Sequence, residues 1–160
     1  MNITIESSSL RDALNKIQAI IDKKNSRPLL TNYFVEAKNN QLTIIGTDLE
    51  VSAKNIIECE VSDSGQFCIN AKGITDIVRE LPEGKVTLNI DESQNLLKLE
   101  AHNLNYSLLI TDSQDYPMIN FEHSGEKIIV KSKEISKIIE KTSYAVSTDE
   151  TRIFLNGIFF

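Results

Sequence analysis

Residues 3–35 read ITIESSSLRDALNKIQAIIDKKNSRPLLTNYFV, and residues 128–160 read IIVKSKEISKIIEKTSYAVSTDETRIFLNGIFF. Shifted by 125 positions, the two stretches align with no gap. Ile3-Thr4-Ile5 falls on Ile128-Ile129-Val130, Ser7 on Ser132, Leu10 on Ile135 and Ala13-Leu14 on Ile138-Ile139. Arg27 falls on Arg152, Leu29-Leu30 on Phe154-Leu155, and Phe34 on Phe159. Only six of the 33 positions are identical, so the argument rests on the matched order of pattern. Each stretch has an alternating segment, a segment with helical spacing, a polar loop and a second apolar segment. The chain therefore repeats a unit, and the second copy stops at Phe160 inside a predicted strand, 152–160. This reads as a piece of a longer protein: a complete domain over 1–122, a linker over 123–126, and the opening of a second domain over 127–160.

Inside the first domain the pattern continues. Leu10, Ala13, Leu14, Ile17, Ile20 and Ile21 predict an amphipathic helix over 8–21, with Ser9 and Asp12 at capping-box spacing. Residues 22–28 are a polar loop closed by Pro28. Leu30–Ala37 and Gln41–Gly46 predict a hairpin turning at Asn39-Asn40. Alternation over 49–61 predicts one long half-buried strand, and Gln66–Asn70 another. Ile74, Ile77, Val78 and Leu81 predict a second helix over 71–81, stopped by Leu81-Pro82-Glu83-Gly84. Strands over 85–90, 95–101 and 104–110 complete the domain. The order is β-α-β-β-β, twice. The fold class is α+β, a duplicated unit with two helices on one face of two antiparallel sheets.

Composition excludes several functions. The chain has 160 residues, 41% hydrophobic and 25% charged, with a formal charge of −6. No apolar run is long enough to span a bilayer, and the N-terminus lacks a signal-peptide pattern. A cytoplasmic compartment is expected. Cys59 and Cys68 form neither a metal spacing nor a disulfide framework. His102 and His123 are solitary residues in polar segments. Gly46-Thr47-Asp48 lacks the glycines and lysine of a phosphate loop. Ser7–Ser9 lack a nucleophile setting and read as caps. Asp48 and Glu50 could pair as acid and base in a carboxylate- or metal-dependent hydrolase. Turn chemistry is the plainer reading of them, and a protein-interaction module is a third possibility.

The cations are more informative. Residues 8–30 carry Arg11, Lys16, Lys23, Lys24 and Arg27 against only Asp12 and Asp22, although the chain as a whole is acidic. Lys131, Lys133, Lys137 and Lys141 repeat that excess in the second copy, and the second helix adds Lys72 and Arg79. Singly, each is a solvated helix face. Repetition in every helix predicts one basic side on an acidic body, which would attract a polyanion to that side alone.

Four motifs stand in register along the chain: Thr47-Asp48-Leu49-Glu50, Leu81-Pro82-Glu83-Gly84, Asp115-Tyr116-Pro117, and Arg152-x-x-Leu155-Asn156-Gly157. In order and spacing the chain resembles the bacterial DNA sliding clamp family, the beta subunit of DNA polymerase III, over its whole length. That resemblance implies a three-domain subunit, of which this would be the first domain and the start of the middle one. Two subunits close head to tail around duplex DNA, with helices lining the hole. The implied activity is non-catalytic and needs no cofactor or metal: the ring encircles DNA and tethers the replicative polymerase. The implied partners are double-stranded DNA without sequence preference, the polymerase and clamp loader through short peptides, and a second subunit.

Residue by residue, the resemblance places Lys24 and Lys72 among DNA-facing cations and Arg152 in the matching loop of the second domain. Lys23 and Arg27 join them from the loop's charge. Tyr106 and Leu108 match apolar positions used at the subunit interface, and Leu155 matches one wall of the partner-peptide pocket. Two departures stand out. Ser26-Arg27-Pro28 replaces the usual Thr-Leu-Pro, and Ile153-Phe154 replaces the usual aromatic pair. Without a third domain the chain is expected to be monomeric or weakly aggregating and unable to close a ring.

Overall fold

The computed structural model describes residues 1–21, 27–117, 119–121, 125–149 and 151–160. They form two compact units, Met1–Ile119 and Asn120–Phe160. The expected linker over 123–126 and His123 fall largely outside the described residues.

The first unit runs β1 (Asn2–Glu6), α1 (Ser7–Gln18), β2 (Asn32–Lys38), β3 (Gln41–Thr47), β4 (Ser52–Glu58), β5 (Glu60–Val61), β6 (Gly65–Asn70), α2 (Ala71–Glu80), β7 (Lys85–Asp91), β8 (Leu96–Ala101) and β9 (Leu104–Thr111). All pairings are antiparallel, in the order β4-β3-β2-β6-β9-β8-β7-β1-β5. The order is built from two copies of one motif. β1 pairs with β7 at Glu6–Lys85, and β6 pairs with β2 at Asn70–Asn32. The Asn40 carbonyl accepts the Cys59 amide, and the Asn95 carbonyl accepts the Ile110 amide, both at 3.0 Å. Asn40 and Asn95 both adopt the left-handed conformation (φ 56° and 52°), which asparagine tolerates better than most residues.

The expected strand over 49–61 is corrected in two ways. Residues 48–51 are a turn, with Leu49 at φ 81°. The ladder then breaks at Cys59, so β4 stays with β3 while β5 crosses to β1. β9 makes the same crossing from β8 to β6. Alternation continues through such a crossing, so hydrophobic periodicity cannot reveal it. The first helix also differs from expectation. It starts at Ser7 with no side-chain cap, so the Ser9–Asp12 capping box does not form. The Ser7 amide is instead satisfied by the Gly84 carbonyl at 2.8 Å. The helix closes at Gln18, after which Ile20 N–H bonds back to the Ile17 carbonyl in a tighter turn.

The core lies between the helices and the sheets. Leu10, Leu14 and Ile17 from α1, and Ile74 and Val78 from α2, are buried with Tyr33, Val35, Leu42, Ile44, Val86, Leu88, Leu97 and Leu99. Gly46 is the close-approach point: a Cβ there would lie 2.5 Å from Ile17 Cγ2 and 2.9 Å from Ile21 Cδ1. Tyr33 is fully buried, its hydroxyl 3.4 Å from the Leu14 carbonyl and 3.3 Å from Thr75 Oγ1. Burial pushes this phenol up, and the Thr75 bond partly opposes the shift.

The second unit contains α3 (Ser132–Thr142) and 3₁₀ turns at Ser143–Ala145 and Ile153–Leu155. Neither expected strand, 128–130 nor 152–160, forms there. A strand exists only through its ladder, and among the described residues no ladder forms with these segments. None of the described helices is long and apolar enough to cross a membrane.

Candidate nucleic-acid interface

α2 begins with a side-chain cap: Asn70 Oδ1 accepts the Gly73 amide at 2.9 Å. This fixes the first turn, burying Ala71 and leaving Lys72 exposed. Lys72 stands at the lip of a cleft of roughly 190 Å³ lined also by Gln18, Ile21, Thr31, Asn70 and Ala71. Ile21 precedes the polar segment and Thr31 closes the 3₁₀ turn after it, so residues on both sides of that segment line the cleft with Lys72. Arg27 is exposed and leads into the 3₁₀ turn Pro28–Thr31, its carbonyl accepting the Leu30 amide at 3.0 Å. Lys23 and Lys24 lie outside the described residues. Lys16, on α1, is exposed.

Three other cations of the first unit, Arg11, Arg79 and Lys85, are engaged with protein groups. Arg11 donates Nη2 to the Leu81 carbonyl and Nη1 to Glu83, both at 2.7 Å, and Nε to the Val78 carbonyl at 3.4 Å. The sequence places Arg11 on the outer, basic face of α1. In the structure it turns into the end of α2. Arg79 donates to Gln18 Oε1 at 3.1 Å, and Lys85 pairs with Glu60 at 3.1 Å.

Arg152 lies in the second unit, where its Nε donates to Asp149 Oδ2 at 2.8 Å. The Asp149 carboxyl is held below its ordinary value, first by the Thr151 hydroxyl, then by the Thr151 amide and Arg152. Leu155 sits in the neighbouring 3₁₀ turn, its carbonyl accepting the Ser147 amide at 2.9 Å. Tyr106 and Leu108 point from β9 toward the core and are half-buried, opposite Leu99 and Leu97. Their neighbour Leu109, 73% exposed, was not singled out from sequence. The run Leu108-Leu109-Ile110 was the available signal, since three apolar residues in a row break strand alternation.

The hydrolase reading of Asp48 and Glu50 gains no support. Asp48 Oδ1 accepts the Glu50 amide at 2.9 Å and the Val51 amide at 2.6 Å, closing a turn. Among the described residues no group of His, Cys, Asp and Glu could hold a metal. Asp115-Tyr116-Pro117 is structural as well. Tyr116 packs on Phe34 with ring centroids 5.5 Å apart, its hydroxyl 3.4 Å from the Asn32 and Ile45 carbonyls. Burial pushes its phenol up to about 12.

Residues 1–120 match the sequence profile of the DNA polymerase III beta subunit, N-terminal domain. The chain belongs to that family. Its relatives include a protein named beta sliding clamp from Caulobacter vibrioides, 30% identical over 99% of this chain and 43% of the relative. Another, of the same name, is from Rickettsia felis, 26% identical over 99% of this chain and 42% of the relative. The solved Caulobacter crescentus pol III beta superposes with a TM-score of 0.92, at 30% identity over 98% of this chain and 43% of that one. A sliding clamp from Bartonella birtlesii bound to griselimycin superposes at 0.92 with 27% identity, over 100% of this chain and 43% of that one. The chain thus spans less than half the length of these clamps. The expected fold class, two helices on one face of antiparallel sheets in a duplicated unit, is the clamp-family fold.

Proposed function

We propose that this chain is the first, DNA-facing portion of a sliding clamp, a non-catalytic factor that surrounds duplex DNA and tethers the replicative polymerase. The observation that carries the reading is exposed Lys72 at a cleft lined also by Ile21 and Thr31, which precede and follow the cationic segment of the sequence. A basic side on an acidic chain, with Lys72 on it and Lys23, Lys24 and Arg27 supplied by the neighbouring stretch of sequence, would attract phosphates to that side. Lysine and arginine on phosphates read no base edges, so the contact is independent of sequence and permits sliding. Arg152 adds a phosphate contact from the second unit, its guanidinium oriented by Asp149.

Within the same reading, residues 1–122 are the first clamp domain, 123–126 a linker and 127–160 the start of the second. Tyr106 and Leu108 contribute to the contact with another subunit. Leu155 forms one wall of the site for polymerase and clamp-loader peptides. Ring closure, two subunits per ring and retention on DNA belong to the whole protein.

Duplex binding across a salt series tests the DNA contact. The logarithm of affinity should fall linearly with the logarithm of salt, equally for two unrelated sequences. Lys72→Gln should make the slope shallower by about 0.9, one phosphate. A sequence preference, or a slope unchanged by Lys72→Gln, would contradict the assignment.

A further inference from the structure

The two halves of the first unit treat equivalent ends of the helix pair differently. At one end α1 begins where α2 finishes, and two contacts clasp them. The Ser7 amide donates to the Gly84 carbonyl, and the Arg11 guanidinium reaches the carbonyls of Leu81 and Val78 together with Glu83. The last carbonyls of a helix have no intrahelical partner and carry the negative end of its dipole. A forked cation answers both needs. The Arg11 side chain is only 24% exposed. At the other end α2 begins where α1 finishes. Five places into each helix stand Arg11 and Thr75, and Thr75 is buried against the Tyr33 hydroxyl. At the second end the last residue of α1, Gln18, accepts from Arg79 at 3.1 Å and lines the cleft with Lys72 at its lip, and no side chain there reaches the carbonyls of the α1 terminus among the hydrogen bonds of the described residues.

We propose that Arg11 is a positioning residue for DNA binding. It is not a phosphate contact: held in the C-terminal end of α2, it fixes the tilt of that helix and so the place of Lys72 at the opposite end. The Leu81 amide reaches the Val78 carbonyl only at 3.4 Å, and Pro82, directly after it, has no amide to add to that turn or to take the place of the guanidinium. The inference rests on the DNA reading above for its functional consequence, but its structural part can be measured without DNA.

The test compares Arg11→Gln and Glu83→Gln with the parent chain by amide chemical shifts and residual dipolar couplings in solution, then by duplex binding across a salt series. In Arg11→Gln the couplings of α2 should fit a changed orientation relative to β2 and β3 while those of α1 do not. The amides of Lys72 and Gly73, at the far end of α2, should shift. Duplex affinity should fall about fivefold with the salt slope unchanged. Glu83→Gln removes one partner and keeps both carbonyl bonds, so it should move the same readouts less. It decides the question by the Lys72 and Gly73 shifts if Arg11→Gln does not fold. An unmoved α2 with only a lowered melting temperature would overturn positioning and leave a local cap. A slope shallower by about 0.9 would make Arg11 itself a phosphate contact, also overturning it. Parent chain whose duplex binding ignores salt would contradict the DNA reading alone, with the coupling measurement still deciding the role of Arg11.

Discussion

Leu14 on α1 and Ile139 on α3 occupy the same place in the repeat, yet Leu14 is 2% exposed and Ile139 41%. Ile3 and Ile128 differ more, at 0% and 89%. Both helices carry an apolar stripe and both preceding segments are rich in β-branched residues. What differs is the surroundings. In the first unit β1 lies between β7 and β5, and α1 packs on β3 and β4. In the second, among the described residues, no strand pairs with 128–130. An amphipathic helix holds its shape through its own backbone bonds, so α3 forms. A strand has no bonds of its own to fall back on.

The largest expected effect is in the core. Leu14→Ala should cost roughly 2–5 kcal/mol in denaturant unfolding, whereas Ile139→Ala should stay within about 0.5 kcal/mol. Equal costs would show that the second unit buries its helix as the first does. Amide exchange sharpens the same contrast: Val86 and Leu88 on β7 should exchange only on global unfolding, and Ile128–Val130 without protection.

A smaller effect separates the helix starts. Asn70→Ala removes the bond to the Gly73 amide and should cost about 1 kcal/mol. Lys131, the residue before α3, makes no side-chain cap, so Lys131→Ala should leave thermal unfolding unchanged.

The smallest effect is in acid. Asp91 and Asp149 are both held below the ordinary carboxylate value, Asp91 chiefly by the Ser93 hydroxyl and Asp149 chiefly by the Thr151 hydroxyl. A carboxyl lowered in the folded state adds stability above its unfolded value and loses it as pH falls through the folded one. Carboxylate titrations should therefore place both midpoints low. Asp91→Asn should weaken the acid sensitivity of unfolding in the first unit, and Asp149→Asn should leave it unchanged.

Most of the first unit was legible in the sequence because its elements declare themselves locally. The Ile74, Ile77, Val78 and Leu81 stripe gave α2 to within a residue of its end, and Asn39-Asn40 gave the first hairpin. The break at Cys59 was hidden, since a strand that changes partner keeps its alternation. The contact of Arg11 with the end of α2 was hidden for a related reason. A helical wheel places a side chain on a face, but only the fold shows that the end of another helix lies within its reach. Lys72 is a candidate from charge and family resemblance, and the cleft beside it needed the meeting of α1 and α2, which no local pattern encodes.

The most direct test of the clamp assignment is a chimera. Residues 1–160 would replace the matching segment of the Caulobacter relative, with a chimera that keeps the parent's size loaded onto closed circular and linear duplexes. The account predicts retention on the circles through a high-salt wash and loss from the linear DNA, because a threaded ring is held by topology while its phosphate contacts are screened. Equal loss from both forms at the same salt concentration would contradict it.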